Sequence, residues 1–325
     1  MNSIEQNRAY KQMYAKDKLT LGFFIPIEAH KGRDIPTMEN QAQLARRADE
    51  LGFSALWFRD VLLHDPSFGD AGHLYDMWIY LTYIAAGTNQ IALATGSVVL
   101  PLHPPARVAK MAASLDQLFQ QRLILGVSSG DRMYDFPALG VSHADRSELF
   151  RESFAYLQRV ISESFPIISS PLGVMQGNVN LIPKPSGRVP TFITGYSQQT
   201  IEWIAEHGDG WVYYPRNVAN QARSIAEWRR CIEEKTPGVF KPFSQSLFID
   251  LSEDPDEMPT PIHLGYRLGR NLLIELLESF REIGVNHVAL ILSLGIRPAD
   301  DVLEELGQFV LPHFPTHTHE HMHRP

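Results

Sequence analysis

The chain of 325 residues has one cysteine, Cys231, and this scarcity excludes an internal disulfide framework. Cys231 lies within a segment of helical periodicity, which is typical of a packed thiol and not of a nucleophile. Redox chemistry in this protein would therefore need a bound cofactor.

Long apolar runs and long runs of like charge are also missing. No stretch of about eighteen apolar residues occurs, and residues 1–18 are polar without the apolar segment of a signal peptide. We therefore expect a soluble, cytoplasmic protein with no membrane partner. The net charge of -8 is spread along the chain, which argues against a nucleic-acid partner or an anionic membrane surface. Small molecules are the expected partners.

Two chemical motifs are absent as well. No Gly-x-Gly-x-x-Gly sequence follows an apolar run, so the chain lacks a nicotinamide fingerprint of its own. No His-Glu-x-x-His sequence occurs outside the C-terminal tail, which argues against a metal-dependent hydrolase. Histidines do cluster near the C-terminus, at His313, His317, His319, His321 and His323. We interpret them as a solvated tail and predict no metal site, because a polar tail does not hold ligands rigidly.

What the chain does contain is a series of short apolar runs. The segment 91–130 is the clearest example, with two runs that carry almost no charge on either side of a helical stretch. Such runs are typical of parallel strands whose two faces are both covered. The runs predict eight strands, at 19–27, 54–60, 91–100, 122–129, 191–196, 210–214, 245–251 and 287–294.

Segments of helical periodicity separate most of these strands. They lie at 37–51, 77–88, 104–120, 145–164, 198–207, 220–235 and 271–283. Eight alternating units predict an α/β fold, a (β/α)8 TIM barrel with insertions in the loops at its C-terminal mouth. We assign residues 1–18 to a polar N-terminal segment, 19–312 to a single barrel and 313–325 to the His-rich tail.

Three segments break the alternation, and each is long enough to be a functional lid or insertion. They are 61–75, the Pro/Gly/Ser-rich stretch 166–190, and 253–270 with its three prolines. Passive surface loops are the alternative for the first two. The proposed lids would cover the barrel mouth, where the loops that follow the strands carry the chemistry of such folds.

Small and polar residues occur at several predicted strand ends. Thr95-Gly96-Ser97 ends the third strand, and the fourth ends in Gly126 to Asp131. The stretch from Gly195 to Thr200 joins the fifth strand to a helix and offers hydroxyls and free amides at the positive end of the helix dipole. Either a phosphate site or a simple helix cap at Ser197 would explain this stretch.

Several stretches follow one another in a recognisable order and spacing. They are 52–58 (GFSALWF), the turn 95–105 with Leu100-Pro101, 116–127 (DQLFQQRLILGV), Pro183-Lys184-Pro185 and Thr194-Gly195. Together they resemble the bacterial luciferase-like monooxygenases, a family of flavin-dependent (β/α)8 enzymes, over about residues 19–295. The stretches 57–60 (WFRD) and 67–72 (SFGDAG) are most similar to luciferase-type oxidoreductases of unassigned substrate.

The resemblance implies a site for reduced FMN at the barrel mouth. A non-proline cis peptide between Gly96 and Ser97 would support the flavin ring, next to Thr95. Ser197 and Thr200 would bind the phosphate, within a loop that includes Gly195 and Tyr196. The basic residue that assists phosphate binding in the family falls on Ser129 here, and Arg132 is a possible substitute.

The catalytic residues depart from the family pattern. The family's histidine after the second strand falls on Val61, and the acid before it falls on Asp60. The luciferase reaction itself is therefore not expected. Asp60, Arg59 and His64 are the candidates for catalysis, because they follow the second strand and carry groups that exchange protons or hold charge. The aromatic residues Tyr75, Trp78, Tyr213 and Tyr214 are candidates for an apolar pocket.

These observations together predict a flavin-dependent oxidoreductase, a luciferase-like monooxygenase that uses reduced FMN and O2 on a small organic substrate. A separate reductase would supply the reduced flavin, and the resemblance implies a homodimer formed through helices near the second and third strands. Two alternatives stay open: an oxidoreductase of the same fold that uses a deazaflavin for hydride transfer, and a non-catalytic flavin-binding protein.

Overall fold

The computed structural model describes residues 4–68 and 71–317. Gly69, Asp70 and the tail histidines 319, 321 and 323 lie outside the described residues. The strands are β1 (Thr20–Phe24), β2 (Ala55–Phe58), β3 (Ala92–Thr95), β4 (Val98–Val99), β5 (Leu123–Ser128), β6 (Ile167–Ser170), β7 (Gly173–Gln176), β8 (Thr191–Thr194), β9 (Gly210–Tyr213), β10 (Phe243–Leu251), β11 (Thr260–Ile262), β12 (Gly265–Leu268) and β13 (His287–Ile291).

The helices alternate with the strands. They are α1 (Arg8–Met13), α2 (Gln41–Leu51), α3 (Met77–Ala86), α4 (Pro105–Leu118), α5 (Asp135–Ala138), α6 (Arg146–Ser162), α7 (Ile201–His207), α8 (Val218–Lys235), α9 (Arg270–Glu282) and α10 (Ala299–Glu305). In the described part of the chain, no helix has the length and apolar character to cross a membrane.

Eight parallel strands form a closed barrel, which confirms the predicted fold. Around the barrel the order is β1, β2, β3, β5, β8, β9, β10 and β13, and β13 pairs with β1 to close it. Seven of the predicted strands contain one of these eight, and the predicted strand 245–251 lies within β10, which begins at Phe243. The third predicted strand, 91–100, is divided into β3 and the short β4, which pairs with the end of β5.

Both faces of the strands are buried, as their apolar composition predicts. In β2, Ala55 and Trp57 belong to the cluster that fills the barrel, whereas Leu56 and Phe58 pack outward against the helices. Side chains alternate between the two faces of a strand, so a strand covered on both faces is apolar at every position.

Helix α1 closes the N-terminal end of the barrel. Tyr10 and Tyr14 are buried within the cluster that fills the barrel, and the Tyr14 ring stacks on Phe192 at 5.1 Å. The Tyr10 hydroxyl donates to the carbonyl of Phe240 at 3.1 Å. The segment that the sequence analysis set apart as polar thus contributes its apolar residues to the core.

The structure places two of the three lid candidates, 166–190 and 253–270, at opposite ends of the barrel. Residues 163–190 lead from α6 to the start of β8 and contact the end of α4, where the Ser186 amide donates to Asp116 at 2.6 Å. No residue of 166–190 lines the mouth cavity, so the prediction of a lid there is wrong. A connection from a helix to a strand lies at the N-terminal face of such a barrel.

The segment 253–270 does reach the mouth. It contains the hairpin of β11 and β12, and β12 pairs with residues 248–251 of β10. Strand β9 pairs only with residues 243–245 of β10, so the hairpin extends the barrel wall above β9. His263 and Leu264 at its turn line the mouth cavity.

Candidate active site at the barrel mouth

A cavity of about 970 Å³ lies at the C-terminal ends of the barrel strands. Its walls are formed by the residues that follow β1, β2, β3, β5, β8, β9 and β13, together with the β11–β12 hairpin. This is the face of the barrel at which loops carry function. The volume is in the usual range for a small-molecule or cofactor site.

The floor of the cavity is apolar and contains the Gly96–Ser97 peptide bond. This bond is cis, as the resemblance implied. Phe24, Val212 and Ile291 contribute the apolar surface. A Cβ atom at position 96 would lie 2.8 Å from the Phe24 ring and 3.0 Å from Trp57, so glycine permits this close packing of the floor.

Most predicted site residues meet at this cavity, but three do not. The residues that line it are Arg59, Asp60, Gly96, Ser97, Ser129, Arg132, Gly195, Tyr196 and Ser197. Thr95 is fully buried, and its hydroxyl donates to the carbonyl of Gly126 at 2.7 Å. Thr200 and His64 are exposed and are not part of the lining.

The loop after β8 has an unusual backbone. Gly195, Ser197 and Gln198 all have positive φ, at 59°, 47° and 60°. For serine and glutamine this left-handed conformation is uncommon, and it prevents helix α7 from beginning as early as the sequence predicted. The Ser197 hydroxyl donates to the carbonyl of Thr194 at 2.8 Å and accepts from the Ser129 amide at 3.3 Å, so it joins two strand ends.

Thr200 follows this loop and caps α7. Its hydroxyl accepts a hydrogen bond from the amide of Trp203 at 3.2 Å. The structure therefore separates the two predicted phosphate ligands, with Ser197 buried at the cavity wall and Thr200 at the outer start of the helix.

Aromatic side chains line one side of the cavity. Tyr196 packs edge-on against Trp211 and Tyr213, and the Trp211 indole donates to the carbonyl of Gly195 at 2.7 Å. Burial, together with the charge of Asp131, raises the pKa of Tyr214 to about 12. These contacts hold the residues that follow β8 and β9 in place on one side of the mouth.

The aromatic prediction holds for two of its four residues. Tyr213 and Tyr214 line the cavity. Trp78 instead packs in the layer between strands and helices, and Tyr75 lies on an outer groove between α2 and α3, so the prediction for these two is wrong. Helix α3 follows the long loop 61–75 and runs along the outside of the barrel, away from its mouth.

A sequence profile of the luciferase-like monooxygenases matches residues 19–259. The chain belongs to this family. The alkanal monooxygenase alpha chain of Photobacterium leiognathi is 31% identical over 184 residues, which cover 56% of this chain and 49% of the relative. An F420-dependent hydroxymycolic acid dehydrogenase of Mycobacterium tuberculosis is 26% identical over 186 residues, covering 56% and 50%. The matches thus span about half the length of these curated relatives.

Solved structures of similar fold cover nearly the whole chain. An F420-dependent secondary alcohol dehydrogenase in complex with an F420-acetone adduct has a TM-score of 0.73 at 18% identity, covering 91% of this chain and 99% of its own. The oxygenating component of a Pseudomonas putida 3,6-diketocamphane monooxygenase, in complex with FMN, has a TM-score of 0.71 at 14% identity, covering 91% and 98%. At these identities the likeness shows the fold alone.

In this luciferase-like barrel, the sequence analysis missed two titratable residues near the mouth. Asp135 in α5 lines the cavity, and its burial raises the pKa of the carboxyl group, against the opposing charge of Arg132. His103 follows the turn Leu100–Leu102 and lies 2.6 Å from Asp60. A histidine in the loop after a barrel strand was a signal for His103, but two neighbouring prolines pointed to a turn. For Asp135 the sequence carried no comparable signal.

No group of three potential metal ligands occurs among residues 4–68 and 71–317. The polar groups that do converge on the cavity suit an anionic organic ligand with a flat ring. Ser129 and Ser197 offer hydroxyls, Arg59 and Arg132 carry guanidinium groups, and the floor is apolar. This combination fits a flavin, because its ring needs apolar contact and its phosphate needs donors and positive charge.

Proposed function

We propose that this chain is a flavin-dependent monooxygenase that uses reduced FMN and O2 on a small organic substrate. The observation that supports this best is the single cavity that combines an apolar floor at Gly96–Ser97 with the Ser129 hydroxyl and the loop of Ser197 at its wall. Bound reduced FMN would supply two electrons and the capacity to activate O2. The residues around it would bind, orient and exclude water.

The cavity has room for a cofactor and a substrate in distinct parts. The flavin ring would lie on Phe24, Gly96 and Val212, and the phosphate would lie towards the loop that contains Ser197. On the other side, Val99, Leu102 and Phe136 form an apolar wall next to Asp60. An apolar or carbonyl substrate would bind there with little access for water. Because the chain lacks a nicotinamide fingerprint, a separate reductase would supply the reduced flavin, in a cytoplasmic setting.

A deazaflavin-dependent hydride transfer is the second candidate function. The M. tuberculosis relative and the secondary alcohol dehydrogenase are both F420-dependent by name. An apolar floor accommodates the ring of FMN and the ring of the deazaflavin equally. The two cofactors therefore differ, as ligands of this cavity, mainly in the part of the molecule beyond the phosphate. A non-catalytic flavin-binding protein is the third, since Val61 stands where the family has its histidine.

The deciding experiment is a titration of the full chain with three probes: FMN, FMN reduced under anaerobic conditions, and the deazaflavin. Tight binding of reduced FMN, followed by substrate-dependent O2 uptake beyond flavin autoxidation in a panel of aldehydes and ketones, is the expected result. Preference for the deazaflavin would replace O2 chemistry by hydride transfer. Binding of FMN without any turnover would favour the non-catalytic alternative.

The phosphate site is tested in the same titration with Ser197→Ala, Thr200→Ala and the double variant. We expect the double variant to bind FMN severalfold more weakly or worse, because it loses the Ser197 hydroxyl that joins Ser129 and Thr194 at the cavity wall. Thr200→Ala should also reduce the free energy of unfolding by about 1 kcal/mol, the usual cost of losing a helix cap. Ser279→Ala is the matched control, since the Ser279 hydroxyl donates only to its own helix. Unchanged affinity in the double variant would contradict the assignment of this loop.

We also propose that the partner of this chain is a second copy. Helix α3 has no charged residue, and its outward residues Ile79 and Tyr83 are 72% and 61% exposed. Beside them lies a groove of about 1040 Å³ whose rim includes Arg47, Glu50 and Glu304. An apolar helix face with a charged rim is typical of a protein interface, and the mouth cavity stays free when α3 is covered.

A further inference from the structure

Asp60 and His103 form an ion pair at the edge of the mouth cavity. The Nε2 atom of His103 lies 2.6 Å from Oδ2 of Asp60, and the amide of Val99 donates to the same oxygen at 3.0 Å. The side chains are only 15% and 26% exposed. A carboxylate held by two donors in a partly buried position has one orientation, because the charge-assisted bonds fix both of its torsions.

The pair connects the segments that follow two neighbouring barrel strands, β2 and β3. Asp60 follows β2 and lines the cavity, whereas His103 follows the turn after β4. Both hydrogen bonds end on Oδ2, and neither uses Oδ1. Asp60 therefore has one oxygen that these two donors do not use, on a residue that borders the floor at Gly96–Ser97.

Several charged groups surround the pair. Burial lowers the pKa of His103, but the hydrogen bond to Asp60 and the Asp60 charge outweigh it, so the pKa is raised overall, with a further contribution from Asp76 before α3. His73 is also within the electrostatic range of Asp60, and burial, with the Arg59 charge, lowers the pKa of His73 to about 4. Asp135 faces the pair from α5. His103 is thus protonated more readily than an ordinary histidine, whereas His73 is neutral at pH 7.

We propose that Asp60 is the proton acceptor of this site and that His103 is the positioning residue that holds it. This inference rests on the proposed function. In the step, the proton of an O–H group on the hydrated form of the aldehyde or ketone substrate passes to Oδ1 of Asp60, and the electron pair of that bond stays on the substrate oxygen. His103 keeps its own proton and its hydrogen bond to Oδ2 throughout.

The pair replaces the histidine that the family has at the position of Val61. His64, the candidate from the sequence, is exposed and does not line the cavity. Asp60 does line it, and a proton acceptor has to lie within hydrogen-bond reach of the substrate.

The first test needs no cofactor. In the full chain labelled with 13C-histidine, the His103 resonance is assigned by its absence in His103→Gln, and its pKa is measured by NMR titration. We expect the pKa to lie above the ordinary value of about 6.5. Asp60→Asn removes the negative charge and should lower the pKa of His103 by at least about one unit. An equal pKa in both proteins would overturn the ion pair.

The second test uses the enzyme loaded with reduced FMN and measures kcat against pH with the most active aldehyde or ketone of the panel. Wild type should lose activity on the alkaline side as His103 loses its positive charge, because an uncharged hydrogen bond holds the Asp60 carboxylate less firmly than a charge-assisted one. In His103→Gln, which keeps an uncharged donor and does not titrate, kcat should stay at this lower level at every pH, so the alkaline loss should disappear while the FMN affinity stays unchanged. Asp60→Asn should lower kcat by about 100-fold or more, the usual contribution of a general base.

His207→Gln is the matched control, because His207 ends α7 at the opposite face of the barrel and is exposed. A wild-type pH profile and kcat in His103→Gln would overturn the positioning role. Failure of wild type to bind reduced FMN would overturn the proposed function and the catalytic role with it, whereas the NMR titration would still decide the ion pair.

Discussion

At the scale of single residues, His287 inside the barrel departs strongly from the ordinary chemistry of a histidine. The Trp57 indole donates to its Nε2 atom at 2.9 Å, so Nε2 accepts and the proton of the neutral ring lies on Nδ1. Nδ1 lies 2.9 Å from the Thr20 hydroxyl. Burial lowers the pKa of His287 to about 3. The ring is therefore neutral in the folded protein, and protonation would break the Trp57 hydrogen bond.

This predicts a loss of stability in acid. Because the unfolded chain binds a proton at His287 below about pH 6.5 and the folded chain does not, the free energy of unfolding falls as the pH decreases. The His287 contribution to that fall is about 2 kcal/mol between pH 7 and pH 5. In His287→Gln this part of the pH dependence should be absent, which urea unfolding at several pH values would measure.

The control for this prediction is His207→Gln, which removes an exposed histidine by the same substitution. It should keep the wild-type pH dependence. If His287→Gln and His207→Gln lose stability in parallel with wild type between pH 7 and pH 5, His287 is not the group that titrates. A lower stability of His287→Gln at pH 7 itself is expected and does not bear on the result.

At the scale of elements, α3 differs from its neighbours because it is apolar on both faces. Met77, Leu81 and Ile84 are buried against the barrel, while Ile79 and Tyr83 face outward. An amphipathic helix on a monomer surface would carry charged residues at these outward positions. Burial of this face against a second copy would remove it from water.

We therefore predict that Ile79→Glu abolishes a dimer without loss of fold. A buried charge without a partner is costly, so the substitution should shift the molecular mass in solution from that of two chains towards one. Light scattering after size-exclusion chromatography measures this. Ile182→Glu is the control, because Ile182 is equally exposed but lies in the 163–190 connection at the N-terminal face. A monomeric wild type would contradict the proposal.

At the scale of the whole molecule, the N-terminal end of the barrel contributes to stability and the C-terminal end holds the candidate site. Helix α1 closes the N-terminal end. Tyr10 and Tyr14 pack on Phe192, and the Tyr14 hydroxyl forms a hydrogen bond with the Ser244 hydroxyl. The C-terminal end is open and holds the cavity. Packing at the closed end supports the barrel while the open end keeps its polar groups available.

Tyr14→Ala tests this division. Loss of a buried aromatic ring should reduce the free energy of unfolding by about 3–5 kcal/mol, since the cavity left inside the barrel cannot collapse fully. The FMN affinity of the folded fraction should stay close to that of wild type, because Tyr14 is not part of the mouth. Tyr134→Ala, at an exposed tyrosine, should change stability little. Equal losses in the two variants would show that α1 does not support the barrel.

The sequence by itself determined the barrel and most of the mouth. Apolar runs such as 122–129 are unambiguous because a parallel strand is covered on both faces, and eight of them alternating with helices leave few other folds. Residues at the strand ends, such as Ser97, Ser129 and Ser197, then meet at one cavity by topology alone. Their roles towards a flavin stay predictions.

Tertiary structure decided what depends on contacts between distant residues. His103 becomes a partner of Asp60, 43 positions earlier, only because β2 and β3 end side by side. The segment 166–190 is excluded from the mouth because it precedes a strand. The N-terminal segment, which is polar in composition, contains a helix whose few apolar residues fill the end of the barrel. Local sequence patterns depend on neighbours along the chain. The pairing of side chains, their burial and the charge state of a histidine depend instead on neighbours in space.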